Sequence, residues 1–279
     1  MAPEGRTATL PRVGETVLIT GASSGIGAAA ARDLTARGFE VFGTSRDPSR
    51  LAADAPTVHW IAMDVRDEAS VEAGVGEVLT RCGHLDAVVC NAGYGIFGSI
   101  EETPLSEARA QFDTNFFGIL TTLRAVLPHL RERRRGRVVL VGSLAGRAPI
   151  PFQAHYSATK AATDVLALAL YNEVRPFGIH VSLVEPGDID TAFNDHTDFD
   201  VTEGSVYGEP IARCRRVIEE ALPKSPGPER VARAIRRALT ARRPRARYPV
   251  GPDAPPIVLA RRLLPDRLSL WLLRRYFQV

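Results

Sequence analysis

The segment Thr20-Gly21-Ala22-Ser23-Ser24-Gly25-Ile26-Gly27 lies between the apolar run Val17-Leu18-Ile19 and the alanine-rich stretch Ala28-Ala29-Ala30-Ala31. A short apolar run ended by turn residues reads as a buried parallel strand. The stretch after it reads as a helix that starts near Ser24, with Gly38 as its C-terminal cap. A strand, a glycine loop and a helix in that order restrict the chain to few folds. Glycine permits the tight turn and close backbone approach, and the helix N-terminus directs N–H groups and partial positive charge at whatever sits there. The context predicts a pyrophosphate, held by Gly21, Ser23, Ser24, Gly25, Ile26 and Gly27.

A second recognition point follows at the end of the next predicted strand, Glu40-Val41-Phe42-Gly43-Thr44-Ser45-Arg46. An acid about 20 residues beyond the loop suits the ribose 2′-hydroxyl of NAD, whereas an arginine suits the 2′-phosphate of NADP. Here Thr44 and Ser45 are neutral and Arg46 follows, with Asp47 next to it. A guanidinium presents a planar fork of donors to a phosphate dianion, so the sequence favours NADP(H).

Predicted strands cover residues 16–20, 40–45, 58–63, 87–90, 137–141, 180–184 and 247–250 and alternate with helical patterns. That alternation implies an α/β fold: one doubly wound, Rossmann-like domain spanning all 279 residues. Its seven-stranded, mostly parallel sheet carries helices on both faces, with a lid at about 188–223 and a helical tail at about 252–279.

Tyr156 and Lys160 stand four apart on a predicted helix, one turn from each other on one face. A phenol titrates near pH 10 in water, and a neighbouring ammonium lowers that value toward the range useful for proton transfer.

Taken together, these segments resemble the short-chain dehydrogenase/reductase family over nearly the whole length. Thr20 to Gly27 matches its cofactor loop, and Asp64-Val65 its adenine contact. Asn91-Ala92-Gly93 matches the end of its central strand, with Cys90 where the family often has another Asn. Asn115, Ser143, Tyr156 and Lys160 match its catalytic tetrad, and Pro186-Gly187 with Ile189 and Thr191 its carboxamide loop. The resemblance implies a carbonyl reductase or alcohol dehydrogenase. Tyr156 would donate the proton, Ser143 would hold the carbonyl oxygen, and Lys160 would bind the ribose and lower the tyrosine pKa. Asn115, inside a long helix from 104 to 131, would hold a water linking Lys160 to solvent.

The substrate expected is a mid-sized, largely apolar ketone or alcohol: a steroid, a polyketide or terpenoid intermediate, or a fatty ketone. Phe97, Ile150, Phe152 and Phe193 are candidate pocket walls. His155 is a further candidate, beside the plainer reading that it packs at the helix start. The competing class is a catalytically silent protein that senses NADP(H) through the same fold, and the presence of both Tyr156 and Lys160 argues against it.

The other features bound the setting. Cys82, Cys90 and Cys214 are widely spaced and suit a reducing cytoplasm, with neither cysteine nor histidine at metal-ligand spacing. No secretory or spanning segment is expected, nor any nucleic-acid-binding motif. A homodimer or homotetramer is expected from the resemblance. The net charge of +3 conceals an excess of base at one end: from Lys224 onward, fourteen Lys/Arg face three acids. Residues 257–277 mix leucines and aromatics with five arginines, and Pro265 divides them into two short helices. Such a tail can pack at the cleft, meet a partner subunit or lie on a membrane surface; packing at the cleft or a subunit interface is the reading favoured.

Overall fold

The computed structural model describes residues 14–49, 51, 57–191, 198–199 and 204–279. Seven strands form one sheet: β1 (Thr16–Ile19), β2 (Glu40–Ser45), β3 (His59–Ala62), β4 (Ala87–Cys90), β6 (Gly136–Val141), β7 (Ile179–Pro186) and β9 (Arg247–Val250). Their order is β3-β2-β1-β4-β6-β7-β9, and every neighbouring pair is parallel. A separate two-stranded pairing joins β5 (Ile96–Phe97) to β8 (Asp198–Phe199), tying the chain after Thr191 to the loop that follows β4.

Parallel strands buried on both faces must be apolar at successive positions, because alternate side chains feed opposite layers. Leu18, Val88, Val138, Leu140 and Leu183 point to one layer, under the helices α2 (Glu68–Cys82), α4 (Gly118–Glu132) and α5 (Ala154–Glu173). Val17, Ile19, Val89, Val139 and Val184 point to the other, under α1 (Gly25–Thr35) and α7 (Glu229–Thr240). On α7, Val231, Ala234, Ile235 and Ala238 are buried while Arg230, Arg233 and Arg237 are exposed, as their spacing predicts. Gly38 closes α1 at φ +81°: its N–H donates to Thr35 O and that of Phe39 to Leu34 O, the paired bonds of a left-handed glycine cap.

The long helix expected over 104–131 is not one uninterrupted α-helix. It consists of α3 (Leu105–Phe112), a π-helical stretch at Asp113–Phe117, and α4. A π turn inserts an extra residue, which shifts the helical phase and aims Asn115 inward, where it is fully buried.

The chain leaves β1 toward β2 and β3 on one side, then returns to β4 on the other. The carboxyl ends of β1 and β4 therefore diverge into the crevice where open α/β sheets bind ligands. The remaining helices stand beyond this edge: α6 (Gly208–Ala221), and the tail helices α8 (Ala254–Leu263) and α9 (Asp266–Tyr276), which break at Pro265 as expected.

A charged cluster lies inside the fold at β7. Glu185 on β7 is completely buried and accepts from Arg147 Nε at 2.6 Å and Nη2 at 2.9 Å, and from Arg247 Nη1 at 2.6 Å. Arg247 also donates to Asp164 of α5 at 2.9 Å. Replacing Glu185 by Gln leaves two guanidinium groups around a neutral amide, and breaking a buried pair is strongly unfavourable. We expect Glu185→Gln to lower unfolding free energy by about 3 kcal/mol, read from urea denaturation midpoints at constant slope.

Candidate active site

The glycine loop has its shape because side chains are excluded from it. Gly21 has φ +64°, and a Cβ there would stand 2.8 Å from the Cα of Ala92 in the turn after β4. The two turns are also joined by hydrogen bonds. Thr20 Oγ1 accepts from the N–H groups of Asn91 and Ala92, and Asn91 Nδ2 donates to Thr20 O and Gly21 O. Gly27 does not line the cleft: it is buried beneath the loop, where a Cβ would come 2.2 Å from Gly21 O. Its missing side chain lets α1 close against the loop.

These turns form one end of a cleft of about 950 Å³. Gly21, Ser23, Ser24, Gly25 and Ile26 line it, with Asn91, Ala92 and Gly93 across the crevice. The N-cap Ser24 forms no side-chain bond to the helix and no acid stands in the first turn of α1. The positive end of that helix is thus free to act on an anion in the cleft. At the end of β2, Arg46 is exposed and lines the cleft, while Asp47 is occupied by the N–H and Oγ of Ser49. Val65 lines the cleft beside Asp64, and Arg66 grips Asp64 through two nitrogens, at 3.0 and 2.6 Å. That grip holds the Asp64 carboxyl below the usual carboxylate range. Sequence reasoning missed Arg66, which adds a second guanidinium to this end. These features, an uncapped helix terminus, a side-chain-free loop and cations at the far end, fit a dinucleotide.

At the other end Ser143, Tyr156 and Lys160 meet. Ser143 caps the short helical turn Leu144–Gly146, accepting from Ala145 N, and hydrogen-bonds the Tyr156 phenol. Lys160 lies one turn along α5; its Nζ donates to Val141 O at 3.0 Å and stands 5.6 Å from the centre of the Tyr156 ring. Tyr156 and Lys160 are 9% and 5% exposed, so the cost of burying charge governs both. Burial pushes the tyrosine up to about 12, against the opposing hydrogen bond from Ser143. It brings the lysine down to about 8, against the field of Asp164. In the protein alone, burial therefore sets the tyrosine value, against the lowering expected from Lys160.

Asn115 does not face the cleft directly. Its Oδ1 accepts from Tyr94 N at 3.0 Å, and its Nδ2 donates to Tyr94 O at 2.9 Å and to Thr159 Oγ1 at 3.2 Å. A Cβ on Gly93 would lie 3.0 Å from Asn115 Oδ1 and 3.7 Å from Lys160 Nζ, so the glycine leaves room for both side chains behind the turn. Pro186, Gly187, Ile189 and Thr191 line the cleft after β7. Cys90 is buried in the core, its thiol pushed up to about 12 by burial.

The expected substrate walls divide. Ile150 lines the cleft. Phe97 and Phe152 do not; they pack behind it with Ile211, Cys214 and Phe277, Phe152 at φ +62°. His155 also lies off the cleft, which favours the packing reading; its buried Nε2 has no hydrogen-bond partner among the described residues. Phe193 lies outside the described residues. In their place Ile218 and Leu222 from the lid and Ile257, Leu273, Tyr276 and Phe277 from the tail line the cleft, with Tyr94 and Gln153. No local motif marks these positions, because they converge only when α8 and α9 fold back.

A sequence profile described as short chain dehydrogenase matches residues 15–201. The chain is 35% identical over 266 residues to a 3-ketodihydrosphingosine reductase of Bacteroides thetaiotaomicron, covering 94% of this chain and 98% of that one. It is 34% identical over 256 residues to the human 17-beta-hydroxysteroid dehydrogenase type 1, covering 83% and 76%. A crystal structure of a short-chain dehydrogenase from Streptomyces avermitilis superposes with a TM-score of 0.80 at 35% identity, covering 94% and 96%.

The buried lysine yields a prediction with a definite sign. Its folded pKa lies below its ordinary 10.5, so the unfolded chain binds more protons between pH 8 and 10.5. The burial penalty is therefore full below pH 8 and fades as pH rises to 10.5. Lys160→Met should stabilise the cofactor-free protein at pH 7 by about 2 kcal/mol, the burial cost less the lost hydrogen bond. Urea melts of both proteins at pH 7 and pH 10 should show that gain shrinking at the higher pH.

Proposed function

The chain belongs to the short-chain dehydrogenase/reductase family of oxidoreductases, and from that membership we propose that it is an NADP(H)-dependent ketoreductase acting on a mid-sized, largely apolar, lipid-like ketone. The observation that carries this reading is the convergence of Ser143, Tyr156 and Lys160 with the glycine loop in a single cleft. A nicotinamide cofactor, when bound, supplies or accepts the hydride. Gly21, Ser23, Ser24, Gly25 and Ile26 would hold its pyrophosphate, Asp64 and Val65 would flank its adenine, and Asn91, Ala92 and Gly93 would line its central part. Pro186, Gly187, Ile189 and Thr191 hold its carboxamide end.

Tyr156 keeps its proton at neutral pH because burial disfavours the phenolate, and it delivers that proton to the carbonyl oxygen. Ser143 donates to the same oxygen as negative charge develops there. Lys160 binds the ribose hydroxyls and stabilises the phenolate left behind. Asn115 fixes the backbone of Tyr94 and bonds Thr159 on the helix of Lys160, setting the geometry of that corner. Arg46 takes the 2′-phosphate, with Arg66 beside it.

The apolar substrate class is supported by Ile150, Ile218, Leu222, Ile257, Leu273 and Phe277 around the cleft. The relative whose name describes a ketosphingoid reductase points the same way. A homo-oligomer in the cytoplasm is proposed as its setting. Exposed Leu105, Phe117, Val165 and Leu168 on the neighbouring helices α3 to α5 support self-association.

Loss of the proton donor should cost about 10³-fold in kcat, near the middle of the range for general acid catalysis. Tyr156→Phe should therefore bind NADPH normally and scarcely oxidise it at 340 nm with a panel of long-chain ketones and steroids. Intact NADPH binding without turnover of any panel member by the parent protein would favour the sensor instead. Arg46→Ala should weaken NADPH by about 10- to 100-fold, as expected for a charge-assisted phosphate contact, and leave NADH unchanged. Fluorescence titration with both nucleotides checks this, and equal effects on the two would remove the NADP assignment.

A further inference from the structure

The two tail helices each present two chemically different faces. On α9 and its C-terminal cap, Ser269, Leu273 and Phe277 follow one another at intervals of four and form the inner seam: Ser269 and Phe277 are buried, and Leu273 and Phe277 line the cleft. At 3.6 residues per turn, Trp271 stands about 160° round the helix from that seam, flanked by Leu268, Arg267 and Arg275. On α8, Ala254 is buried and Ile257 faces the cleft, while Leu259 and Leu263 point outward. Leu259, Leu263, Leu268, Leu270, Trp271 and Leu272 are between 42% and 66% exposed. Isolated exposed leucines are ordinary on a protein surface, but this many on two adjoining short helices form a patch that calls for a partner.

Charge identifies the partner. Arg261, Arg262, Arg267, Arg274 and Arg275 are all exposed on the same two helices. Asp266 is the sole acid on them, and Arg261 already pairs with it at 3.0 Å. A second copy of this chain docked through the same face would set one group of arginines against the other across a desolvated contact, which is repulsive. An anionic lipid surface meets both properties together. The apolar side chains enter the acyl boundary, Trp271 sits at headgroup depth, and the arginines extend their stems along the apolar face to reach phosphates. No helix among the described residues is long and apolar enough to cross a membrane, so the contact is one of lying on the surface.

We infer that α8 and α9 form a docking face for an anionic membrane surface, which seats the protein on lipid. Phe277 anchors this face to the body by packing with Phe97, Ile211 and Cys214, and Arg213 Nε holds Gln278 O at 3.0 Å. Because Leu273, Tyr276 and Phe277 also line the cleft, the docked tail sets the apolar end of the cleft at the lipid surface. The inference rests on the tail alone and stands or falls independently of the reaction proposed above.

The test is flotation of the full chain with vesicles of phosphatidylcholine, alone or with one-third phosphatidylglycerol. Flotation is expected with the mixed vesicles at low salt, lost at high salt and weak with phosphatidylcholine alone. Arg274→Gln/Arg275→Gln should partition about 30-fold less strongly, at the usual worth of a basic residue near an anionic surface. Trp271→Ala should also weaken flotation, and Trp271 emission in the parent should shift to the blue on binding. Unchanged thermal midpoints confirm that these variants fold; none of the three residues lines the cleft. The inference is overturned if the parent stays in solution with anionic vesicles at low salt, or floats equally well after both sets of substitutions. Light scattering that shows self-association abolished by Trp271→Ala would instead assign the face to a second copy.

Discussion

Contact between two backbone turns determines the geometry on which the site depends. The turn after β1 and the turn after β4 touch at Gly21 and Ala92, closer than any side chain at position 21 would allow. Thr20 and Asn91 then lock the two turns with four hydrogen bonds across about 70 residues of sequence. Each of those polar groups would be costly to bury alone, and the contact satisfies them. The position of α1 follows from this, because Gly27 admits the helix against Gly21 O. The cleft, the helix terminus aimed into it and the place of Arg46 at its far end all derive from that approach.

At the opposite end the governing effect is desolvation. Tyr156 and Lys160 are buried by the same turn of chain that brings Ser143 and Val141 to them. Burial raises an acid and lowers a base, so each group is driven toward its neutral form, the phenol more completely than the amine. A phenol that keeps its proton at neutral pH suits proton delivery, and a lysine lowered to about 8 still carries its charge there. Asp164, on the same helix one turn beyond Lys160, is itself raised to about 6 by burial, and it opposes the loss of charge on the lysine. Such a site is unfavourable for the isolated fold, and the surrounding parallel sheet and its two apolar layers must hold it in place.

The tail shows how one short segment can serve two surfaces. Its inner seam completes the cleft, and its outer face carries apolar and basic side chains together. The packing reading favoured from the sequence holds for the seam. It does not account for Trp271 and its neighbours, because a helix of eleven residues cannot turn all its leucines inward.

Strand positions, the parallel sheet, the glycine loop and the spacing of Tyr156 and Lys160 were legible in the sequence because they depend on local pattern: apolar runs, turn glycines and the helical repeat. The order of the motifs along the chain made the family legible too. Three kinds of information were not local. The phase shift that buries Asn115 comes from a π turn, which neighbouring side chains select and propensity does not mark. The tyrosine pKa in the protein alone follows from burial, which exists only after packing and cannot be read from the spacing of Tyr156 and Lys160. The walls of the cleft were misassigned at Phe97, Phe152 and His155, and the tail residues Ile257, Leu273 and Phe277 took that place. Hydrophobicity identifies a residue as buried, but which void it borders is decided only when segments about 100 residues apart or more come to rest against one another.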